Sequence, residues 1–145
     1  MGSRIEPRVI DGLYTEAMLL ADEVRGYFDG YGREERKALD PLVQVGFSCE
    51  SLKVTTRLMH VLSWLLMRRA TAAGEMRHID GEAQRLAIAS ESDEAIIPQL
   101  PEAARGLIRA SRDLYARVGR LDEQDVAEPL TSPARGLQSR LERAF

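Results

Sequence analysis

The sequence has few of the residues from which most catalytic and metal sites are built. Its 145 residues include one cysteine, Cys49, and two histidines, His60 and His78. A single cysteine permits no disulfide within the chain and no zinc site built from cysteines. Two histidines exclude most triad and histidine-rich metal chemistry. We therefore predict a protein that is not an enzyme and that holds no cofactor and no metal ion.

Long apolar runs are also missing. The longest, Val61 to Met67, is interrupted by Ser63 and is far shorter than the ~20 residues of a membrane-spanning helix. The first residues contain no apolar segment of the kind that signal peptides carry. Together with the single cysteine, this predicts a cytoplasmic protein without a membrane partner.

The sequence also lacks a large excess of charge of either sign. Twenty lysines and arginines stand against 23 acidic residues, a formal net charge of −3. A whole-chain electrostatic interaction with nucleic acid is therefore not expected. What is present is 44% hydrophobic and 30% charged residues, a balance typical of one globular domain.

The apolar spacing predicts helices and no strands. A first helix is expected over residues 9–28, where apolar side chains recur at steps of three and four. Gly30 is suited to end it. A short helical piece follows over residues 33–39, and Asp40 with Pro41 has the character of a new helix start.

The second long helix, expected over residues 41–73, is apolar on more than one side. One half of its circumference carries mainly leucines, and the other half carries Trp64 and Met67. Either another element of the chain or a second chain must cover that other half. Because three helices offer few covers and symmetric dimers are common, we expect a homodimer interface there, formed by Arg57, His60, Trp64, Met67 and Arg68.

The rest of the chain predicts a long loop over residues 75–100 and a third helix from Pro101 to about Asp122. The fold class predicted is all-α: a three-helix up-down bundle of residues 1–122, followed by a flexible or short-helical C-terminal tail of residues 123–145. Three tail residues at helical spacing share one face: Leu137, Leu141 and Phe145.

The third helix carries a row of arginines, and two interpretations of it remain open. Arg105, Arg109 and Arg112 could form a basic face for an acidic partner. The same row could be a solvated face that favours docking beside the acidic first helix. Reading DNA bases would require amide or aromatic side chains among the arginines, and the stretch offers only Ser111 and Tyr115.

Several stretches resemble one family. The central match is Glu50–Met59 (ESLKVTTRLM), followed by Ser63–Leu66 (SWLL) and Gly74–Met76 (GEM). The turn at Asp29–Glu35 and the stretch Leu114–Asp122 (LYARVGRLD) match in the same way. Over about residues 10–122 the sequence resembles the RcdA family, named for the regulation of CtrA degradation, while the tail matches only in position and character.

The resemblance implies a homodimer of three-helix bundles with a flexible tail. It also implies a non-enzymatic adaptor that delivers substrates to the ClpXP protease in bacterial cell-cycle control. The implied partners are the protease or a response-regulator-like protein that primes it, and protein cargo. The family offers no catalytic residue to transfer. Two alternatives stay open: a DNA-associated regulator, and a homodimeric structural or interaction protein.

Overall fold

The computed structural model describes residues 5–74 and 85–127. Within these ranges the chain forms helices and no strand, which confirms the predicted all-α class. The elements are α1 (Pro7–Asp29), α2 (Tyr31–Lys37), α3 (Pro41–Ala72), a 3-10 turn (Ile97–Gln99) and α4 (Glu102–Ala127). The tail face of Leu137, Leu141 and Phe145 lies outside the described residues.

Local sequence accounts for where the helices begin and end. Pro7 and Pro41 occupy the first turns of α1 and α3, where a missing N–H costs nothing. Between α1 and α2 the backbone folds back so tightly that a Cβ on Gly30 would lie 2.7 Å from the carbonyl oxygen of Gly26. Gly74 has a φ of +73° after the end of α3, a conformation that favours glycine.

Helix α1 runs antiparallel to both other long helices. Asp11 near its start pairs with Arg69 near the end of α3, with 3.2 Å between their side-chain atoms. Phe28 near its end packs edge-on against Phe47 near the start of α3, with ring centroids 5.4 Å apart. On the α4 side, Arg117 pairs with Glu16.

Helix α4, however, runs parallel to α3. Going along α3, Arg57 bonds to Ser111, Trp64 to Asp122 and Arg68 to Asp125, so residue numbers rise together on the two helices. The predicted up-down arrangement is therefore wrong in this pair. A parallel neighbour requires a connection that runs back along the whole length of the helix. Neither the hydrophobic periodicity nor the helix caps in the sequence indicate such a connection.

The described part of this connection, residues 85–100, is called the strap here. Arg85 pairs with Asp122 near the end of α4. Further along, Ser92 accepts a hydrogen bond from Arg57, and Ile96 lies against the bare backbone of Gly46. The strap thus runs beside α3 in the opposite direction. Its length follows from the distance that it must cover.

The core lies where α1, α3 and α4 meet. Leu13, Ala17, Val54, Leu65 and Leu114 are among its buried side chains. Helix α1 exceeds its predicted bounds by two residues at the start and one at the end, and α4 continues five residues past Asp122. No helix in the described ranges combines the length and the apolar character needed to cross a membrane.

Candidate protein-interaction surfaces

The inner side of α3 carries polar groups that bind α4. The indole N–H of Trp64 donates a hydrogen bond of 3.0 Å to Asp122, and Trp64 is only 2% exposed. The Arg68 guanidinium lies over the Trp64 ring, 4.3 Å from its centroid. Arg68 also pairs with Asp125 at 2.9 Å. These contacts fix the C-terminal halves of α3 and α4 to each other.

A second buried network joins α3, α4 and the strap at Arg57. Its guanidinium donates to Ser111 on α4 at 3.2 Å and to Ser92 on the strap at 2.6 Å. Burial among these groups lowers the pKa of Arg57, and the neighbouring Glu50 carboxylate partly opposes this. The side chain is 3% exposed, so it acts inside the chain.

Glu50, about two turns before Arg57 on α3, also holds the strap. Its carboxylate accepts the backbone N–H of Asp93 at 3.1 Å and pairs with Lys53 at 3.0 Å. Burial raises the pKa of the Glu50 carboxyl. Hydrogen bonds from Ser92, Asp93 and Lys53 outweigh that effect, and the pKa lies below its ordinary value.

The structure places the five residues expected at a dimer interface on the inner side and flanks of α3. Arg57, Trp64 and Arg68 are buried, while His60 and Met67 are half-buried. Of the two covers that the sequence left open for Trp64, α4 of the same chain is the one present. A second chain is not needed to account for its burial.

The opposite side of α3 is apolar and exposed. We call it the outer stripe, and it holds five large side chains between 48% and 79% exposed. Four of them recur every seven residues, the repeat that keeps one helix face toward a partner helix. The smaller exposed residues between them are Cys49, Thr55 and Ser63. The large members are Leu42, Val45, Leu52, Met59 and Leu66.

The outer stripe differs from the other outward faces in charge. Between residues 41 and 66, none of the exposed residues of α3 is charged. The exposed face of α1 includes Asp11, Glu16 and Asp22, and that of α4 includes Arg109 and Arg120. Depletion of charge is what distinguishes the centre of a protein interface from ordinary surface.

The arginine row of α4 borders the strap. Arg109 is exposed, Arg105 is half-buried, and Arg112 pairs with Glu94 of the strap at 2.6 Å. The ion pair between α4 and the acidic α1 involves Arg117 instead. The three predicted residues therefore share one side of α4, and one of them is already engaged within the chain.

An open hollow of about 480 Å³ lies where α2 meets the start of α4, lined by Tyr31, Glu34, Glu35 and Pro101 among others. Glu35 accepts a hydrogen bond of 2.8 Å from Tyr27. Burial and this bond raise the pKa of the Tyr27 hydroxyl well above its usual range. The Tyr27 hydroxyl and the Glu35 carboxylate are thus hydrogen-bonded to each other.

The described residues contain no group of three or more histidine, cysteine or acidic side chains placed to hold a metal ion. Their polar clusters around Arg57 and Arg68 are buried between helices and bonded within the chain, with Arg68 Nη1 and Glu50 Oε1 left without a hydrogen-bond partner there. The outer stripe of α3 and the arginine row of α4 lie on accessible helix faces of the described residues.

These features define an all-α protein whose distinctive surfaces lie on the outsides of its helices. The chain belongs to the family described as "Protein of unknown function (DUF1465)", whose model matches residues 2–145. It is also similar to the crystal structure of RcdA from Caulobacter crescentus CB15. The two share 35% identity and a TM-score of 0.69 over 83% of this chain and 92% of the other. None of the curated proteins matches.

The similarity confirms the resemblance that the central helix indicated. Sequence reasoning missed the outer stripe because both sides of α3 are apolar. The leucine-rich half of the predicted helix includes the exposed Leu52, Met59 and Leu66 together with the core residues Leu58 and Leu65, and apolar character alone does not separate the two groups. The seven-residue repeat is the sequence signal that could have identified the outer stripe. Apolar residues on a helix face that packs within a globular bundle recur with the helical period of 3.6 residues instead.

Proposed function

We propose that this chain is a non-enzymatic cytoplasmic adaptor that works as a homodimer. Like the family it resembles, it would deliver protein substrates to the ClpXP protease in bacterial cell-cycle control. The observation that carries the proposal is the similarity to RcdA, at 35% identity over 83% of the chain with a TM-score of 0.69.

The mechanism is tethering. A protein that binds cargo and protease at once raises the concentration of one near the other and needs no chemistry of its own. The basic row of Arg105, Arg109 and Arg112, in which Arg109 is exposed and Arg112 pairs with Glu94, suits an acidic partner. The tail residues Leu137, Leu141 and Phe145 supply an apolar face at helical spacing for a second partner.

A truncation ending at Ala127 tests the proposal, because Asp122 and Asp125 belong to α4 and must be kept. The immobilised chain would be challenged with purified ClpXP and the response-regulator-like protein that primes it. We expect the full chain to bind at least one of these two proteins. The truncated chain should keep its helix content but lose binding to a protein that the full chain binds. Retention of neither by the full chain would contradict the adaptor role.

Point variants sharpen this test. Leu137→Ser with Leu141→Ser removes the apolar tail face, whereas Gln138→Ser with Glu142→Ser changes neighbouring polar positions and serves as the matched control. Capture should fall only for the first pair. Equal capture by all variants would favour the alternative of a homodimeric structural protein.

The DNA-associated alternative makes a separate prediction. Binding through the arginine row would weaken steeply with salt, because each phosphate contact releases a counterion. A mobility-shift titration with duplex DNA at low salt therefore distinguishes the two functions. Absence of a shift removes the alternative, while a salt-dependent shift lost in Arg109→Glu would replace the adaptor proposal.

A further inference from the structure

The strap lies in a groove between α3 and α4 whose side chains bind its main chain. The Tyr115 hydroxyl donates a hydrogen bond of 2.6 Å to the carbonyl oxygen of Ala87 and accepts one of 3.1 Å from the N–H of Ala89. Further along, the Glu50 carboxylate accepts the N–H of Asp93 at 3.1 Å. In peptide-binding proteins, bonds to the main chain of an extended segment supply affinity that does not depend on its sequence.

The strap has the nearly extended shape that such binding requires. Arg85 pairs with Asp122, which also bonds to Trp64 of α3, whereas Ile96 lies against Gly46. The stretch of α3 between these two levels is about 27 Å long. Eleven residues of the strap cover it, at roughly 2.5 Å per residue, close to the limit of an extended chain.

The groove also binds side chains of the strap, and it selects acidic ones. The Arg57 guanidinium donates to Ser92 Oγ at 2.6 Å, and Arg112 pairs with Glu94, also at 2.6 Å. Residues 91–94 include three carboxylates, so the strap is acidic where the groove presents its arginines. Arginine paired with a carboxylate forms the stronger, charge-assisted kind of hydrogen bond. The groove therefore suits an extended segment with acidic residues.

Polar contacts rather than apolar burial hold the middle of the strap. None of residues 87–94 is among the apolar side chains packed on the core, and Ile88 is 92% exposed. A surface segment with few buried apolar contacts opens locally at low cost in free energy. The fit is also incomplete, because the buried Oε1 atom of Glu50 accepts no hydrogen bond within the described residues. A different segment could therefore replace the strap and bind more tightly.

We propose that the groove between α3 and α4 is a binding site for an extended acidic segment of a partner protein, and that the strap occupies this site until such a segment displaces it. The incoming main chain takes over the bonds to Tyr115 and Glu50, and an incoming carboxylate takes over Arg112. The inference rests on the proposed function in one respect, since it gives the acidic partner a site.

Occupation by the strap makes binding selective. A segment tethered within the same chain has an effective concentration on the order of millimolar. An incoming segment must therefore bind more tightly than the strap, or be held nearby through a second contact. Its apparent dissociation constant is the intrinsic one divided by the fraction of molecules in which the groove is open.

The test uses a fluorescent peptide with the sequence of residues 86–97 (LAIASESDEAII) and the full chain. Glu94→Lys with Ile96→Asp releases the strap, because these residues contact Arg112 and Gly46, and it leaves the groove itself unchanged. Its matched control is Glu91→Lys with Ile88→Asp, the same two substitutions at exposed strap positions. We expect the released variant to bind the peptide at least about 10-fold more tightly than wild type or the control. Equal affinities, with helix content preserved in circular dichroism, would overturn displacement.

Two further measurements on the released variant locate the binding. Tyr115→Phe removes the hydroxyl that bonds two main-chain groups and should weaken peptide binding about 10-fold. A peptide whose three acidic residues are changed to the corresponding amides should also bind more weakly. Binding that survives Tyr115→Phe unchanged would overturn the assigned groove, and equal binding of the amide peptide would overturn the acidic class of partner.

Hydrogen exchange on the wild-type chain keeps the proposal testable even if the released variant fails to fold. Millimolar peptide should accelerate exchange of the Ala89 and Asp93 amides, which Tyr115 and Glu50 now protect, and leave the amides of α4 unchanged. Unaltered protection of both amides would overturn the proposal. The peptide experiments contain no protease component, so their failure leaves the capture of ClpXP and its priming protein unaffected, and failed capture leaves the groove unaffected.

Discussion

The indole N–H of Trp64 points at the carboxylate of Asp122 across the α3–α4 interface, with 3.0 Å between Nε1 and Oδ1. Both side chains are almost fully buried. The same carboxylate also faces Arg68 and Arg85. One acidic residue of α4 thus satisfies an aromatic donor of α3 and connects the strap to both helices.

Replacing Trp64 by phenylalanine should lower stability without changing the mass of the protein in solution. The substitution removes one buried hydrogen bond and some packing volume, at a cost of about 1–3 kcal/mol in the free energy of unfolding. Urea denaturation measures that cost, and sedimentation measures the mass. A variant as stable as wild type but with half its mass would contradict the placement of Trp64 inside the chain.

Asp122→Ala should be more severe, with a loss of about 3–5 kcal/mol in the free energy of unfolding. It leaves the buried guanidinium of Arg68 with Asp125 as its remaining acidic neighbour and Trp64 without an acceptor. The control is Asp113→Ala, whose exposed ion pair with Arg117 contributes at most about 1 kcal/mol. Equal losses in the two variants, compared by urea denaturation, would show that the Asp122 cluster is not structural.

Gly46→Ala should loosen the strap. The new methyl group would occupy space that Ile96 now fills, and overpacking of this kind costs about 1–3 kcal/mol. Gly26→Ala on α1 meets nothing within 4 Å and should stabilise the helix by about 0.5–1 kcal/mol. Hydrogen exchange should accelerate over residues 90–97 in the first variant and remain unchanged in the second. Stabilisation by both would contradict the contact with Ile96.

Acid should weaken the hold of Glu50 on the strap. Because the folded-state pKa of this carboxyl lies below its unfolded value, it contributes stability above the unfolded pKa, about 4.3, and loses it as pH falls through the folded pKa. Glu50→Gln should therefore be less stable than wild type at pH 7, with the difference shrinking below about pH 4. Unfolding titrations at both pH values measure this. A difference that stays constant would exclude a role for the ionised carboxylate.

The sequence predicted the helices well because their signals are local. Pro41 marks the start of α3 by itself, and the apolar pattern of α1 relates residues three or four positions apart. The parallel order of α3 and α4 depends instead on contacts such as that between Arg57 and Ser111, 54 residues apart, and no local pattern encodes them. For the same reason the sequence indicated that Trp64 needs a cover but could not identify α4 as that cover.

The adaptor role is tested most directly by protein lifetimes in the host cell. Pulse-labelling would compare cells that carry the full chain, cells that lack it, and cells that carry residues 1–127. We predict that a set of proteins lives longer in its absence, that depleting ClpXP stabilises the same set, and that residues 1–127 do not restore their turnover. Unchanged lifetimes on removal of the chain, for all proteins that ClpXP degrades, would contradict the account.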